Sequence, residues 1–204
     1  MMDRSQQFKR TDRDIQNAVI ALLDKTNFEQ ITINDITKQA EINRSTFYLH
    51  FQDKYDVLEN ITQEYINEFT KIIDKVTLKG ENSFQNTDSL LKEYFAKNRE
   101  NLLKLTKIKY FENDFETEVK DLFCSYFLNS SESIQQRQAK AMSSIIATLL
   151  MYMLEHPEFD DCFSSIAFNT FLDLTLQFFN IPKTPDAYTD LLTFIGKHIP
   201  KHDN

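Results

Sequence analysis

Glycine and proline are scarce in this sequence. Its 204 residues include 2 glycines and 4 prolines. The phosphate-binding turns of Rossmann and P-loop enzymes require glycines, and all-β folds require many turns rich in glycine and proline. The scarcity therefore argues against both classes and favours an all-α protein.

The residue patterns of common metal and redox sites are also missing. Cys124 and Cys162 lie far apart in the sequence and form no CxxC pair. The 4 histidines are scattered and match no metal-binding spacing such as HExxH. We therefore expect no disulfide framework, no metal site, no cofactor and no enzymatic activity.

Long apolar runs are absent as well. No segment reaches the roughly 18 consecutive apolar residues that a membrane-spanning helix needs. The first 13 residues are polar and charged, unlike a signal peptide. These features predict a cytoplasmic protein that does not associate with membranes.

Basic charge is in deficit, since the formal net charge is −8. An acidic chain is a poor first candidate for nucleic-acid binding. However, residues 1–54 carry equal numbers of basic and acidic side chains, so the excess acid lies in the remainder of the chain. The segment Lys9–Arg13 is locally basic. This distribution is typical of a small phosphate-tolerant module attached to an acidic body.

The spacing of apolar residues predicts about nine helices, divided between a domain at residues 1–52 and a domain at residues 53–204. Thr32 and Asp35 have the pattern of a capping box, Asn43 suits a helix N-cap, and Asp53 can cap a long fourth helix. Two short helices joined by a brief turn, at about residues 32–51, predict a helix-turn-helix. The expected helices are 11–26, 32–40, 44–50, 53–76, 88–105, 115–128, 132–155, 159–180 and 184–199, with a polar loop at 79–87.

The outward residues of the third helix suit DNA. A major groove roughly 12 Å wide admits one helix. Arg44 can bind the O6 and N7 atoms of guanine, whereas Ser45, Thr46 and Tyr48 can donate hydrogen bonds to phosphates. Tyr48 can also pack on a thymine methyl. Lys54, at the start of the next helix, can bind a phosphate.

The segment ITINDITKQAEINRSTFYLHFQDKYDVL closely resembles the N-terminal signature of TetR-type transcriptional regulators. The resemblance covers about residues 10–60, and its most specific part is the block Thr46-Phe47-Tyr48-x-His50-Phe51-x-x-Lys54, followed by Leu58. It implies an N-terminal DNA-binding domain and a C-terminal helical domain for effector binding and dimerisation. The DNA-binding positions expected from the motif and the resemblance are Arg44, Ser45, Thr46, Tyr48, His50, Lys54, Thr32, Asn34 and Lys38.

One position departs from the family pattern. The turn residue that is often glycine in the family is Glu41 here, so either Glu41 adopts a strained positive φ or the turn relaxes. Two features also have an alternative interpretation. Tyr48 and His50 can simply cover the junction between the third and fourth helices. The basic segment Lys9–Arg13 either contacts DNA or forms a solvated tail.

The predicted C-terminal domain has the apolar side chains that a dimer would need. The helix at 159–180 is apolar on two faces, and a helix of this kind must bury both. One face can serve the subunit core and the other a partner subunit; the alternative is a fully buried helix in a monomer. The expected dimer-interface residues are Phe163, Ala167, Phe171, Leu174, Phe178, Leu192 and Ile195.

Aromatic and methionine side chains of the same domain are candidates for an effector pocket. Such residues line adaptable apolar pockets, but they also fill ordinary cores. The candidates are Phe95, Tyr110, Phe123, Tyr126, Phe127, Met151 and Tyr152.

The sequence therefore predicts a sequence-specific DNA-binding transcriptional regulator. Its expected partners are a double-stranded operator, a second copy of the chain and a small apolar or aromatic effector. A repressor released by its effector is the leading hypothesis. The alternatives are an activator of the same fold and a helical interaction or adaptor protein that lacks operator binding.

Overall fold

The computed structural model describes residues 4–78, 84–109, 114–130 and 136–156. These ranges contain helices and turns without a β-strand, which agrees with the predicted all-α class. None of their helices is long and apolar enough to cross a membrane. The predicted helices at 159–180 and 184–199 lie outside the described residues. The described elements are α1 (Arg4–Leu22), a 3-10 turn (Phe28–Gln30), α2 (Ile33–Gln39), α3 (Arg44–His50), α4 (Lys54–Leu78), α5 (Phe84–Thr106), α6 (Phe115–Ser130) and α7 (Gln136–Glu155).

The first helix begins and ends earlier than predicted. The apolar pattern predicts a helix over 11–26, whereas α1 spans Arg4–Leu22. Thr11 lies within α1, where its hydroxyl donates to the carbonyl of Gln7, one turn earlier in the same helix. The ring of Phe8 stacks on His50 with the ring centroids 3.9 Å apart. This long-range contact anchors the added turns, and a local apolar spacing cannot reveal it.

The capping box at the start of α2 is confirmed. The Thr32 hydroxyl accepts a hydrogen bond from the Asp35 N–H at 3.2 Å, and Asp35 Oδ2 accepts one from the Thr32 N–H at 3.0 Å. Hydrogen bonds from the Thr32 side chain and backbone favour the ionised carboxylate, so they lower the pKa of Asp35. The box therefore fixes where α2 begins.

A tight turn joins α2 to α3. Glu41 has a φ of 55°, in the left-handed region that favours glycine. The N–H of Ile42 donates to the Thr37 carbonyl at 3.0 Å, and Asn43 Oδ1 then caps α3 by accepting from the Thr46 N–H at 2.7 Å. The predicted bounds of α3 and its Asn43 cap are confirmed. Glu41 adopts the strained positive φ, which is one of the two alternatives that the sequence left open.

Helices α1, α2 and α3 pack around a shared apolar core. Burying one aliphatic or aromatic side chain stabilises a fold by roughly 1.5–3 kcal/mol. Phe47 is the residue that α3 contributes at 0% exposure, so it determines which face of α3 points inward. Within residues 4–50, the other core side chains with 1% exposure or less are Ile15, Val19, Phe28, Ile31 and Ile36.

The chain forms two compact units, and α4 and α5 contribute to both. Among the described residues, the first unit contains α1 to α3, α4 through Tyr65, and the chain from Glu100 to residue 109 with residue 114. The second unit contains the remainder of α4 and α5 together with α6 and α7. The predicted domain boundary between residues 52 and 53 stays a prediction; in space, α4 begins within the first unit.

The predicted N-cap of α4 is confirmed. Asp53 Oδ1 accepts hydrogen bonds from the backbone N–H groups of Tyr55 at 2.8 Å and Asp56 at 3.0 Å. Capping by a short acidic side chain satisfies donors that the first helical turn cannot pair internally. The helix then runs for 25 residues to Leu78.

The helices of the second unit differ slightly from the prediction. Helix α5 begins at Phe84, so the predicted loop at 79–87 is helical in its last residues. Helix α6 starts at Phe115 as predicted and reaches Ser130, beyond the expected end at residue 128. Helix α7 is described from Gln136, and residues 131–135 lie outside the described ranges. Helix ends are the least readable feature of a sequence because fraying and capping decide them.

Helices α6 and α7 pack on each other through Cys124, Ala139, Met142 and Ile146, all buried. The end of α7 is capped by Arg99 of α5, whose Nε donates to the carbonyl of Leu154 at 3.0 Å and whose Nη2 donates to that of Met153. The Arg99 cation therefore lies at a helix C-terminus, where it satisfies two carbonyls.

Candidate nucleic-acid interface

The first turn of α3 is organised by the side chain of Asn43. Its Oδ1 accepts hydrogen bonds from the Ser45 hydroxyl at 2.6 Å, the Thr46 N–H at 2.7 Å and the Thr46 hydroxyl at 3.0 Å. Ser45 is exposed and Thr46 is half-buried. Both hydroxyls therefore have a fixed starting position at the solvent side of α3.

Arg44 and Tyr48 form a pair on the surface of α3, one helical turn apart. The Arg44 Nη2 donates to the Tyr48 hydroxyl at 3.1 Å, and the guanidinium carbon lies 5.6 Å from the centre of the tyrosine ring. Tyr48 is 48% exposed, although its ring edge contacts the buried Phe47. The contact with Tyr48 restricts a side chain that would otherwise be flexible, and a guanidinium has further donors for a ligand.

His50 lies on the inward side of α3. Its Nδ1 is 2.6 Å from Asp12 Oδ1, and its side chain is 6% exposed. Together with the stacking on Phe8, this pair connects the end of α3 to α1. The geometry gives the ring a structural role, as in the alternative interpretation, and DNA contact by His50 stays a prediction.

Lys54 is also engaged by the protein itself. Its ammonium donates to three backbone carbonyls, those of Phe28 at 2.9 Å, Glu29 at 2.8 Å and Ile31 at 2.9 Å. It lies 4.9 Å from the centre of the Phe28 ring and 5.4 Å from that of Tyr55. An ammonium has three donors, and all three have partners here. Lys54 thus holds the start of α4 on the 3-10 turn, and its phosphate contact stays a prediction.

The predicted residues of α2 lie on its exposed side. Asn34 and Lys38 are separated by one helical turn and therefore share a face. Thr32 is exposed, but its hydroxyl belongs to the capping box. Helix α2 thus presents a cation and an amide beside α3, which contributes Arg44.

The basic segment Lys9–Arg13 is helical, so the predicted tail or arm is part of α1. Lys9, Arg10 and Arg13 are exposed, and Arg10 has a long ion pair of 3.9 Å with Asp14. Exposed pairs of this kind contribute little to stability. The cations remain accessible to a phosphate on the solvent side of the first unit.

Some predicted effector residues occur together in the second unit. Phe69 of α4 contacts Phe95 at 5.9 Å and Phe123 at 6.0 Å between ring centres. Tyr126 and Met151 are half-buried, whereas Tyr152 is exposed and its ring lies 4.3 Å from that of His156. Tyr110 and the side chain of Phe127 lie outside the described residues, as do all the predicted dimer-interface residues.

Sequence reasoning missed the partners that hold the interface in place. Asp12 and Phe8 secure His50, and the carbonyls of the 3-10 turn secure Lys54. These partners are 23 to 42 positions away in the chain, so no local pattern identifies them.

Comparison with known proteins supports the helix-turn-helix. Residues 15–61 match the bacterial regulatory proteins of the tetR family. The uncharacterized HTH-type transcriptional regulator YxbF of Bacillus subtilis (strain 168) is 37% identical over 70 residues, which are 34% of this chain and 18% of YxbF. HTH-type transcriptional regulators of Staphylococcus aureus strains USA300 and N315 are each 23% identical over 176 residues, 81% of this chain and 94% of theirs.

The matched residues contain the features described above. The interval 15–61 includes the capping box, the turn at Glu41, helix α3 and the start of α4. The chain spans less than a fifth of YxbF but nearly the full length of the staphylococcal regulators. A capped helix-turn-helix in the first unit, followed by a helical second unit, is the arrangement expected from the resemblance. Residues 15–61 thus resemble the DNA-binding domain of the tetR family, and over most of its length the chain is similar to HTH-type transcriptional regulators.

Proposed function

We propose that the protein is a homodimeric repressor that binds an operator duplex in the cytoplasm and is released by a small apolar or aromatic effector. The outward face of α3 carries this proposal. Its donors stand on a helix that Asn43 caps and that buried Phe47 fixes on the core. Donors fixed before binding lose less conformational entropy when they meet DNA.

In the proposed complex, α3 lies in the major groove. Arg44 reads guanine, because its guanidinium matches the O6 and N7 acceptors. The Ser45 and Thr46 hydroxyls rotate away from Asn43 Oδ1, to which they donate in the free protein, and together with Tyr48 they donate to phosphates and to neighbouring base edges. The hydrogen bond from Arg44 to Tyr48 orients both side chains toward the same strand.

Helix α2 and the start of α1 supply contacts that position the module. In helix-turn-helix proteins the first helix of the motif crosses the DNA backbone. The exposed Asn34 and Lys38 of α2, with Thr32 at its cap, suit that position. The exposed cations Lys9 and Arg13 extend the phosphate-binding surface, which offsets the acidic charge of the remaining chain.

His50 and Lys54 enter the proposal as positioning residues. His50 Nδ1 and the Lys54 ammonium are already within 3 Å of protein acceptors. They align α3 with α1 and α4 with the 3-10 turn. The direct phosphate contact that the sequence predicted for Lys54 is the alternative to this assignment.

Dimerisation and effector release depend on the second unit. The apolar residues predicted to form the dimer interface, from Phe163 to Ile195, support a paired C-terminal domain. The aromatic contacts of Phe69 with Phe95 and Phe123 support an apolar or aromatic effector. Because α4 contributes to both units, a ligand that displaces its second half can move its first turn, where Lys54 is held.

The test begins with selection of binding duplexes from a randomised DNA library. We expect the selected duplex to contain two related half-sites about one helical turn apart. Its binding constant should fall linearly with the logarithm of salt concentration, because phosphate contacts release counterions. Failure to enrich any sequence would contradict operator binding.

Assembly and regulation need separate measurements. Sedimentation should give a dimer with and without DNA, and a monomer would contradict the homodimer. In vitro transcription from a promoter that overlaps the selected site should decrease on addition of protein; an increase would identify an activator. A panel of apolar and aromatic compounds should include one that weakens DNA binding, and uniform affinity across the panel would remove the support for effector release.

A further inference from the structure

The most exposed large apolar side chain in the described part of the chain belongs to α3, the proposed recognition helix. Leu49 is 74% exposed, although its neighbours Phe47 and Phe51 are buried. Leaving so much of a leucine in water gains nothing from the hydrophobic effect. The sequence resemblance did not mark this position, because the signature leaves it variable.

Leu49 lies at the centre of the outward face of α3. Successive residues of a helix are rotated by about 100°, so Ser45 and Leu49 each lie about 160° from Phe47, the core residue. Arg44 and Tyr48 occupy one flank of this face, about 60° and 100° from Phe47. A helix that enters a groove with Phe47 toward the protein therefore presents Ser45 and Leu49 deepest.

The chemistry around Leu49 indicates what it meets there. Thymine presents a C5-methyl beside the O4 acceptor in the major groove, and this methyl is the apolar group of the base edges. Ser45, one turn before Leu49, presents a hydroxyl on the same face; it donates to Asn43 Oδ1 in the free protein and can rotate to donate to a base. A donor next to an exposed apolar side chain matches an acceptor next to a methyl. A protein partner would instead favour a wider apolar patch than one leucine among polar residues.

We propose that Leu49 is a specificity-determining residue that contacts a thymine C5-methyl in each operator half-site. The inference rests on the proposed operator binding and adds a base preference to it. Ser45 and Leu49 together select a T·A pair, while Arg44 selects a neighbouring guanine on the flank of the same helix.

The experiment uses the full chain and a duplex selected from a randomised library by the unmodified protein. Each thymine is replaced in turn by uracil, which removes only the methyl group. We expect one thymine per half-site at which this replacement weakens binding by about fourfold, since burying a methyl-sized group contributes on that scale. Leu49→Ala should weaken binding to the thymine duplex and abolish the difference between thymine and uracil at that position.

Leu128→Ala is the matched control, because Leu128 is also an exposed leucine, on α6. It should leave both the affinity and the methyl preference unchanged. Leu49→Ala should retain the melting temperature of the unmodified protein, so lost affinity cannot be attributed to unfolding.

The failure modes are distinct. If no sequence is enriched by the unmodified protein, operator binding fails and the role of Leu49 fails with it. If a duplex is selected but no uracil replacement weakens binding, operator binding stands and the methyl contact is overturned. The same conclusion follows if Leu49→Ala retains the full uracil effect.

Discussion

Asp12 and His50 are 38 positions apart in the sequence, yet Asp12 Oδ1 lies 2.6 Å from His50 Nδ1. The histidine side chain is 6% exposed and that of Asp12 is 29% exposed. The pair therefore connects α1 to the last residue of α3 where water has little access. A buried polar group that loses its partner costs more than the intact bond contributes, so this connection restricts the orientation of the recognition helix.

Removing the acidic partner should destabilise the DNA-binding module. Asp12→Ala leaves His50 buried without its acceptor, and we expect the free energy of unfolding to fall by about 1–3 kcal/mol. Urea unfolding followed by circular dichroism measures the change. Asp14→Ala is the control, because Asp14 makes only an exposed, 3.9 Å pair with Arg10. Equal losses for the two variants would show that the buried pair has no special role.

The features that could be predicted from the sequence are local. Two helix caps, the capping box of Thr32 and Asp35 and the Asn43 cap, each involve residues no more than three positions apart. A short segment of sequence is therefore enough to identify them. The orientations of His50 and Lys54 depend on partners brought close by packing of the whole module. A motif can assign these residues to DNA, but tertiary contacts decide where their polar atoms point.

Glu41 should be a site at which the protein can be stabilised. Its φ of 55° is unfavourable for a residue with a Cβ atom. Glu41→Gly should therefore raise the free energy of unfolding by about 1 kcal/mol. Glu41→Ala removes the same charge but keeps the Cβ atom, so it separates strain from electrostatics. The strain account fails if alanine stabilises the protein as much as glycine does.

The ionised Asp35 side chain in the capping box predicts that the stability of the fold depends on pH. Its pKa is lowered from 3.8, chiefly by the hydrogen bonds from Thr32. A carboxyl whose folded pKa lies below its unfolded value stabilises the fold above the unfolded value, and this contribution disappears as pH falls through the folded value. As the pH falls below 3.8, the urea concentration at the unfolding midpoint should therefore decrease for the unmodified protein. Asp35→Asn has no carboxyl to protonate at this position, so its midpoint should decrease less steeply. Parallel pH profiles would contradict a stabilising ionised cap.

Variants of Lys54 and Lys38 should show which lysine positions the fold and which contacts phosphate. Lys54→Met keeps an unbranched apolar stem but leaves the carbonyls of the 3-10 turn without their donor. We expect unfolding stability to fall by about 1–3 kcal/mol and the salt slope of DNA binding to stay unchanged. Lys38→Met, at an exposed site of α2, should leave stability unchanged and reduce the salt slope by about one per contact.

The salt slope of DNA binding and the free energy of unfolding together distinguish the two roles of Lys54. If Lys54→Met reduces the slope while the unfolding free energy is retained, the ammonium binds phosphate in the complex and leaves its carbonyl partners. Lys54→Arg provides a second check. A planar guanidinium cannot reproduce three donors converging on the carbonyls of Phe28, Glu29 and Ile31, so arginine should not restore stability although it retains the charge.

Arg44 and Tyr48 should contribute differently to sequence preference. Arg44→Ala should cost about 1–3 kcal/mol at one base pair per half-site and relax the preference there, because the guanidinium is proposed to bind guanine. Tyr48→Phe removes the hydroxyl that accepts from Arg44 Nη2 but keeps the ring on Phe47, so it should cost less than Tyr48→Ala. Binding to duplexes altered at one base pair at a time measures both effects.

Arg44→Lys keeps the charge without the planar pair of donors, so it should retain the salt slope while losing the guanine preference. If Arg44→Ala instead weakens every duplex equally, Arg44 contacts phosphate, and base selection passes to Ser45 and Leu49 at the centre of the face.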